Sequence, residues 1–126
     1  MDRRMAVPMT VVSETERAAI VATVLDYFEG WFDGDAERIE RALHPALAKR
    51  GPEVRSVTKE QMVAWTSAGE GKALDPGPER RIDITVVDAH GSIASAVVDS
   101  DVYREYVHLV CTDDGWRIVN ALWHST

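Results

Sequence analysis

Four histidines, one cysteine and a few tyrosines and tryptophans are the side chains of this 126-residue sequence best suited to chemistry. His108 and Asn120 form the most suggestive pair. If Thr112 faces Trp116 across a hairpin, these two lie side by side on adjacent strands, with Tyr106 on the same face. An imidazole beside an amide can orient a ligand inside an apolar cavity, and an imidazole titrating near neutrality can shuttle a proton. The same pair can also satisfy itself within a core or a subunit interface, because buried polar groups are paired whether or not they function. Tyr27 and Trp31 lie four apart, and Trp65 follows later. All three serve either as aromatic walls of the same cavity or as plain core packing. His44 stands before Pro45, where it either caps a helix end or projects into the cavity.

Much familiar chemistry is missing. The histidines (His44, His90, His108, His124) have no paired metal-ligand spacing. No glycine-rich phosphate loop, no Gly-x-Ser-x-Gly elbow and no His–Cys nucleophile context is present, so no metal or cofactor is expected. The acids of Val98-Asp-Ser-Asp101 alternate out of phase with an apolar face and should point to solvent or a partner, not into a pocket where they could act as a base.

The elements that must position these residues are legible in outline. Residues 1–12 carry no periodic pattern and read as a flexible arm before a single domain at 13–126. Ser13-Glu-Thr-Glu16 spells a capping box. Behind it Val21, Val24, Leu25, Phe28 and Phe32 form a helical stripe that Gly34 can end, with Tyr27 and Trp31 on its flank. Asp35 caps a second helix burying Ile39, Ala42 and Leu43, stopped by His44-Pro45. Residues 46–57 read as irregular or briefly extended. Thr58-Lys-Glu-Gln61 opens a third helix, and Gly69 to Pro78 a loop expected to be mobile. Two hairpins then turn at Asp88-Ala-His-Gly91 and Thr112-Asp-Asp-Gly115, both spelled for a type I turn followed by a left-handed glycine.

With Asp88 opposite Ser92, the first hairpin gathers Ile82, Ile84, Val86, Ala94, Ala96 and Val98 on one face. The second hairpin is apolar on both faces, one set being Tyr106, His108, Val110, Trp116, Ile118, Asn120 and Leu122. One face should meet the helices and the other a second subunit or a ligand. Helices followed by antiparallel strands give an α+β fold, a curved sheet wrapped around three helices.

Composition sets the bounds. The length suits one domain with its own core. A net charge of −7 argues against a nucleic-acid surface, no stretch is long enough to span a bilayer, and the lone Cys111 reads as a buried, inert thiol of a cytoplasmic protein.

Three stretches carry a resemblance: Tyr27-Phe-Glu-Gly-Trp-Phe-Asp-Gly-Asp35, Leu43-His-Pro45 and Asp113-Asp-Gly-Trp-Arg-Ile-Val-Asn120. Their order resembles the NTF2-like superfamily. Ile82 to Ala96 followed by Tyr106-Val-His-Leu-Val is similar to its group labelled "putative lumazine-binding" proteins, beside SnoaL-like and ketosteroid-isomerase-like relatives. The resemblance implies a cone-shaped cavity between sheet and helices, a pterin-like or flavin-precursor ligand, and dimerisation through the sheet. Three readings follow. One is a cavity protein binding an apolar or aromatic small molecule, walled by Tyr27, Trp31, Trp65 and Tyr106 and fixed by His108 and Asn120. Another is an isomerase, dehydratase or cyclase using His108, and the third is a dimerisation module without catalysis.

Overall fold

The computed structural model describes residues 12–126. The assignment of an N-terminal arm falls outside these residues except for Val12, which is buried in the core. Three helices come first, α1 (Glu14–Asp33), α2 (Ala36–Ala42) and α3 (Lys59–Ser67). The strands are β1 (Leu43–Arg50), β2 (Ser56–Val57), β3 (Ile82–His90), β4 (Ile93–Ser100), β5 (Tyr103–Thr112) and β6 (Gly115–Ser125). They form one sheet in the order β2-β1-β6-β5-β4-β3. α1 touches both β6 and β3, which lie three strands apart, so the sheet curls around it as the α+β cone requires.

The helix ends follow their signals. The Ser13 hydroxyl accepts from the Glu16 amide at 3.1 Å. At the other end Asp35 N–H donates to Gly30 O at 2.8 Å and Gly34 N–H to Trp31 O at 3.3 Å, a Schellman closure made possible by Gly34 at φ 69°. Asp35 and Thr58 cap α2 and α3, the latter with the full reciprocal box to Gln61. The buried stripe of α1 is Ile20, Val24, Tyr27, Phe28 and Phe32. It is rotated from the expected one, so Tyr27 lies within the core and Val21 and Leu25 at its margin.

Several details depart from the sequence pattern. Leu43, expected on the second helix, instead opens strand β1, which includes His44-Pro45 and pairs in parallel with β6, so the sheet is not wholly antiparallel. The first hairpin closes with two residues, Gly91 and Ser92, between paired His90 and Ile93. Gly91 alone has positive φ (57°) there, the II′ pattern whose twist suits a tight hairpin. A bulge between Val86 and Asp88 then restores parity, so Ile84 faces Val98 and Val86 faces Ala96 on the core side. At the second turn Gly115 is left-handed (φ 103°) and faces Thr112. A register shift between His108 and Leu109 leaves Trp116 and Ile118 on the core face with Val107 and Leu109, while Asn120 and Leu122 remain on the other. Cys111 is exposed at the turn end of β5.

The Gly69–Pro78 segment is pinned to α1. Gly71 is buried so closely against Trp31 that a Cβ would lie 2.2 Å from the Trp31 carbonyl oxygen. Arg80, stacked over Phe32, bridges Asp33 at 2.7 Å and Asp75 at 2.9 Å.

Candidate functional site

The β4 residues Ala94, Ala96 and Val98 face the helices, and their partners on β5 are Leu109, Val107 and Glu105. Register therefore carries one acid into the cone. Glu105 is 1 % exposed, surrounded by an otherwise apolar interior. Tyr27 of α1 donates its hydroxyl proton to Glu105 Oε2 at 2.5 Å. Lys49, from β1 on the far side of β6, donates to the Tyr27 oxygen and places its Nζ 3.8 Å from Glu105 Oε2. The result is a relay from ammonium to phenol to carboxylate inside the fold.

Burial is acceptable here because each polar group has a partner. Among the described residues no buried side-chain nitrogen or oxygen is left without one. Burial, and then the Glu105 charge, push the Tyr27 hydroxyl well above the ordinary tyrosine range, so it remains a proton donor. Burial lowers the Lys49 ammonium from its usual value, an effect Glu105 partly offsets. Lys49 also sits 4.9 Å from the centroid of the Tyr27 ring, a cation–π distance.

Beside this cluster lies a small cavity of about 10 Å³, lined by Tyr27, Phe28, Trp31, Lys49, Tyr103 and Glu105. That is room for about one water. Aromatic contacts tie its wall together: Trp31 Nε1 donates to the Tyr103 hydroxyl at 3.3 Å, and Tyr103 stacks on Phe32 and meets Trp123 edge-on. Burial raises the Tyr103 hydroxyl too, against the Trp31 hydrogen bond that lowers it. Trp123 is held by Gly51, where a Cβ would come within 2.9 Å of the indole.

The residues singled out from sequence divide between two faces. Tyr27 and Trp31 meet in the cone. Trp65 packs partly buried against the core from α3 but does not line the cavity. His44 is turned back on its own strand, its Nδ1 accepting from the Ala46 amide at 2.9 Å. Tyr106, His108 and Asn120 are together, but on the face of the sheet turned away from the helices. Asn120 Nδ2 donates to His108 Nδ1 at 3.2 Å, so the pairing read from the register is present while its place in the cone is not. The reason is parity: Glu105, Val107 and Leu109 take the inner face, which leaves the even-numbered residues of β5 outside. That outer face holds a groove of about 350 Å³ beside His90, Ser95 and His108, and exposes Tyr106, Leu122 and Ile93. Lys49, Tyr103 and Glu105 were not selected from sequence. For Glu105 a signal existed, an acid in phase with Tyr103, Val107 and Leu109.

Three helices wrapped by a curled, open six-stranded sheet make an NTF2-like, α+β cone fold. Residues 15–124 match the family described as "Putative lumazine-binding", and the chain belongs to that family. Among solved structures it is similar to an NTF2-like protein from Shewanella baltica OS155, with 20% identity over 93% of this chain and 98% of that one and a TM-score of 0.75. An NTF2-like protein from Methylobacillus flagellatus KT gives 21% identity over 94% and 99%, with a TM-score of 0.72. A ketosteroid isomerase-like protein from Erwinia carotovora atroseptica SCRI1043 gives 16% identity over 90% and 98%, with a TM-score of 0.67. At these identities the likeness is one of fold. No curated protein matches the chain. Among the described residues no helix is long and apolar enough to cross a membrane, and no group of three or more His, Cys, Asp or Glu is placed to hold a metal.

Proposed function

We propose that the protein binds a planar aromatic small molecule in the cone, between Trp31 and Tyr103, with the Lys49–Tyr27–Glu105 cluster reading its polar edge. The observation that carries this reading is the cluster itself, a carboxylate and an ammonium lining a cavity whose other walls are aromatic. An imide edge of the lumazine kind suits it. Its N–H would donate to Glu105 and its flanking carbonyl accept from Lys49, while the rings stack on indole and phenol. Lumazine is also the ligand in the family's description. The cavity of about 10 Å³ must widen for this, with the Trp31–Tyr103 hydrogen bond at 3.3 Å and the packing of Tyr103 on Phe32 and Trp123 giving way.

The test is a titration with a lumazine followed by tryptophan emission and calorimetry. Saturation by the wild-type chain, weakened at least tenfold by Glu105→Gln, supports the reading. No saturation at millimolar ligand would remove the pteridine class. A second proposal concerns assembly: two copies meet through the outer sheet face, where Tyr106 and Leu122 are each 49 % exposed in register with one another. Sedimentation that finds monomer across the concentration range refutes it.

A further inference from the structure

The cone's lysine is placed for more than hydrogen bonding. Lys49 Nζ contacts the Tyr27 oxygen, whose own proton points at Glu105 Oε2, and all three side chains line the same cavity. Only 14 % of the Lys49 side chain remains accessible. In such a site an ammonium and a carboxylate can exchange charge for neutrality by one concerted shift. The Lys49 proton moves to the Tyr27 oxygen while the Tyr27 proton moves to Glu105, leaving an amine, a phenol and a carboxylic acid. The lysine amine formed by that shift is a nucleophile.

We infer that Lys49 forms a covalent imine with an aldehyde or ketone that enters the cone, with Tyr27 and Glu105 moving the protons. The inference rests on the cone being a ligand cavity and adds a second ligand class, small aromatic carbonyl compounds. Each step balances. The nitrogen lone pair forms the C–N bond as the carbonyl π pair passes to oxygen, and a proton moves from nitrogen to that oxygen. Glu105, through Tyr27, then protonates the hydroxyl, water leaves, and the nitrogen lone pair closes the C=N bond. The net change is ammonium plus carbonyl to iminium plus water, with the Glu105 carboxylate regenerated as counter-ion. No oxidant or reductant is consumed. Phe28, Trp31 and Tyr103 supply an apolar, aromatic surround, and the cavity of about 10 Å³ must widen to admit a benzaldehyde-sized ring.

The chain offers its own internal controls, since it holds two other lysines, Lys59 and Lys72. Lys59 pairs with Glu40 at 3.1 Å outside the cone, and Lys72 lies exposed beside Gly71. The folded protein is treated with benzaldehyde and cyanoborohydride at pH 7, and benzylation of each lysine is followed by peptide mass mapping. Benzyl alcohol, which cannot form an imine, is titrated in parallel against tryptophan emission to report the cavity. The expected result is Lys49 modified at least tenfold faster than Lys59 and Lys72. Tyr27→Phe and Glu105→Gln should each bring its rate down to theirs, the folding of each variant being checked by its urea midpoint. Two variants are used so that poor folding of one leaves the other to decide. Lys49 no faster than the other lysines, with benzyl alcohol bound, overturns the imine and leaves the cavity reading standing. Failure of both probes overturns both. Fast labelling that survives both substitutions overturns the roles of Tyr27 and Glu105.

Discussion

Replacing Lys49 by methionine removes the cation that faces Glu105 while keeping most of the buried methylene packing. The carboxylate is then 1 % exposed with only the Tyr27 hydroxyl to hold it. Breaking a buried pair from one side costs about 3–5 kcal/mol, because the remaining charge is uncompensated. The retained Tyr27 hydrogen bond and the residual exposure of Lys49 in the native protein place this case near the lower end, about 3 kcal/mol. For a domain of this length that is a fall of roughly 10 °C in the thermal midpoint. Urea unfolding of wild type and Lys49→Met at pH 8 measures the deficit. A triple variant, Lys49→Met with Tyr27→Phe and Glu105→Leu, should return to within about 1 kcal/mol of wild type, because apolar groups of similar volume replace a buried pair at little cost. A Lys49→Met deficit below about 1 kcal/mol at pH 8 would refute the assignment of a desolvated, paired Glu105.

Other perturbations test the scaffold. Gly71→Ala forces a methyl against the Trp31 carbonyl and indole and should cost about 2 kcal/mol or more, with a changed Trp emission; Gly69→Ala, open to solvent but left-handed (φ 83°), should cost about 1 kcal/mol and leave emission alone. Thr58→Ala loses the capping box of α3 and about 1 kcal/mol, read by denaturant midpoint. Asp26 feels burial, which raises its pKa, but hydrogen bonds from Arg41 and Arg38 outweigh it and the net shift is down. Its folded value lies below its unfolded one, so its contribution is full above the unfolded value near 3.8 and is lost as pH falls through the folded value; Asp26→Asn should flatten the stability profile between pH 5 and 2. Tyr27, shifted well above 10, keeps its proton in the folded state while the unfolded phenol ionises, so stability should fall as pH rises past 10, and Tyr27→Phe should reduce that slope, leaving the part due to Tyr103.

The helices were legible because their signals are local. Ser13, Gly34, Asp35 and Thr58 each act within five residues, and each did what its side chain or backbone freedom dictates. Strand β1 was not legible. Leu43-His-Pro-Ala-Leu-Ala-Lys-Arg50 includes a proline and small residues that blur any alternation, and its main partner is β6, some seventy residues on. Nothing local says that Lys49 points into the cone, so half of the buried ion pair was invisible.

Glu105 differs, because the information was present one strand away. Ala94, Ala96 and Val98 of β4 mark the core face, and the alternating Ser95 and Asp99 mark the other. The β4–β5 connection is only Asp101 and Val102, fastened by the buried Ser100 hydroxyl accepting from the amides of Val102 and Tyr103. A two-residue connection fixes the antiparallel register, and Val98 must then face Glu105 and Ser95 face His108. The second hairpin, apolar on both faces, cannot decide its own inside; its neighbour decides it. Carrying β4's polarity through that turn exchanges His108 for Glu105 as the group inside the cone, and with it replaces an imidazole chemistry by one of carboxylate, phenol and amine.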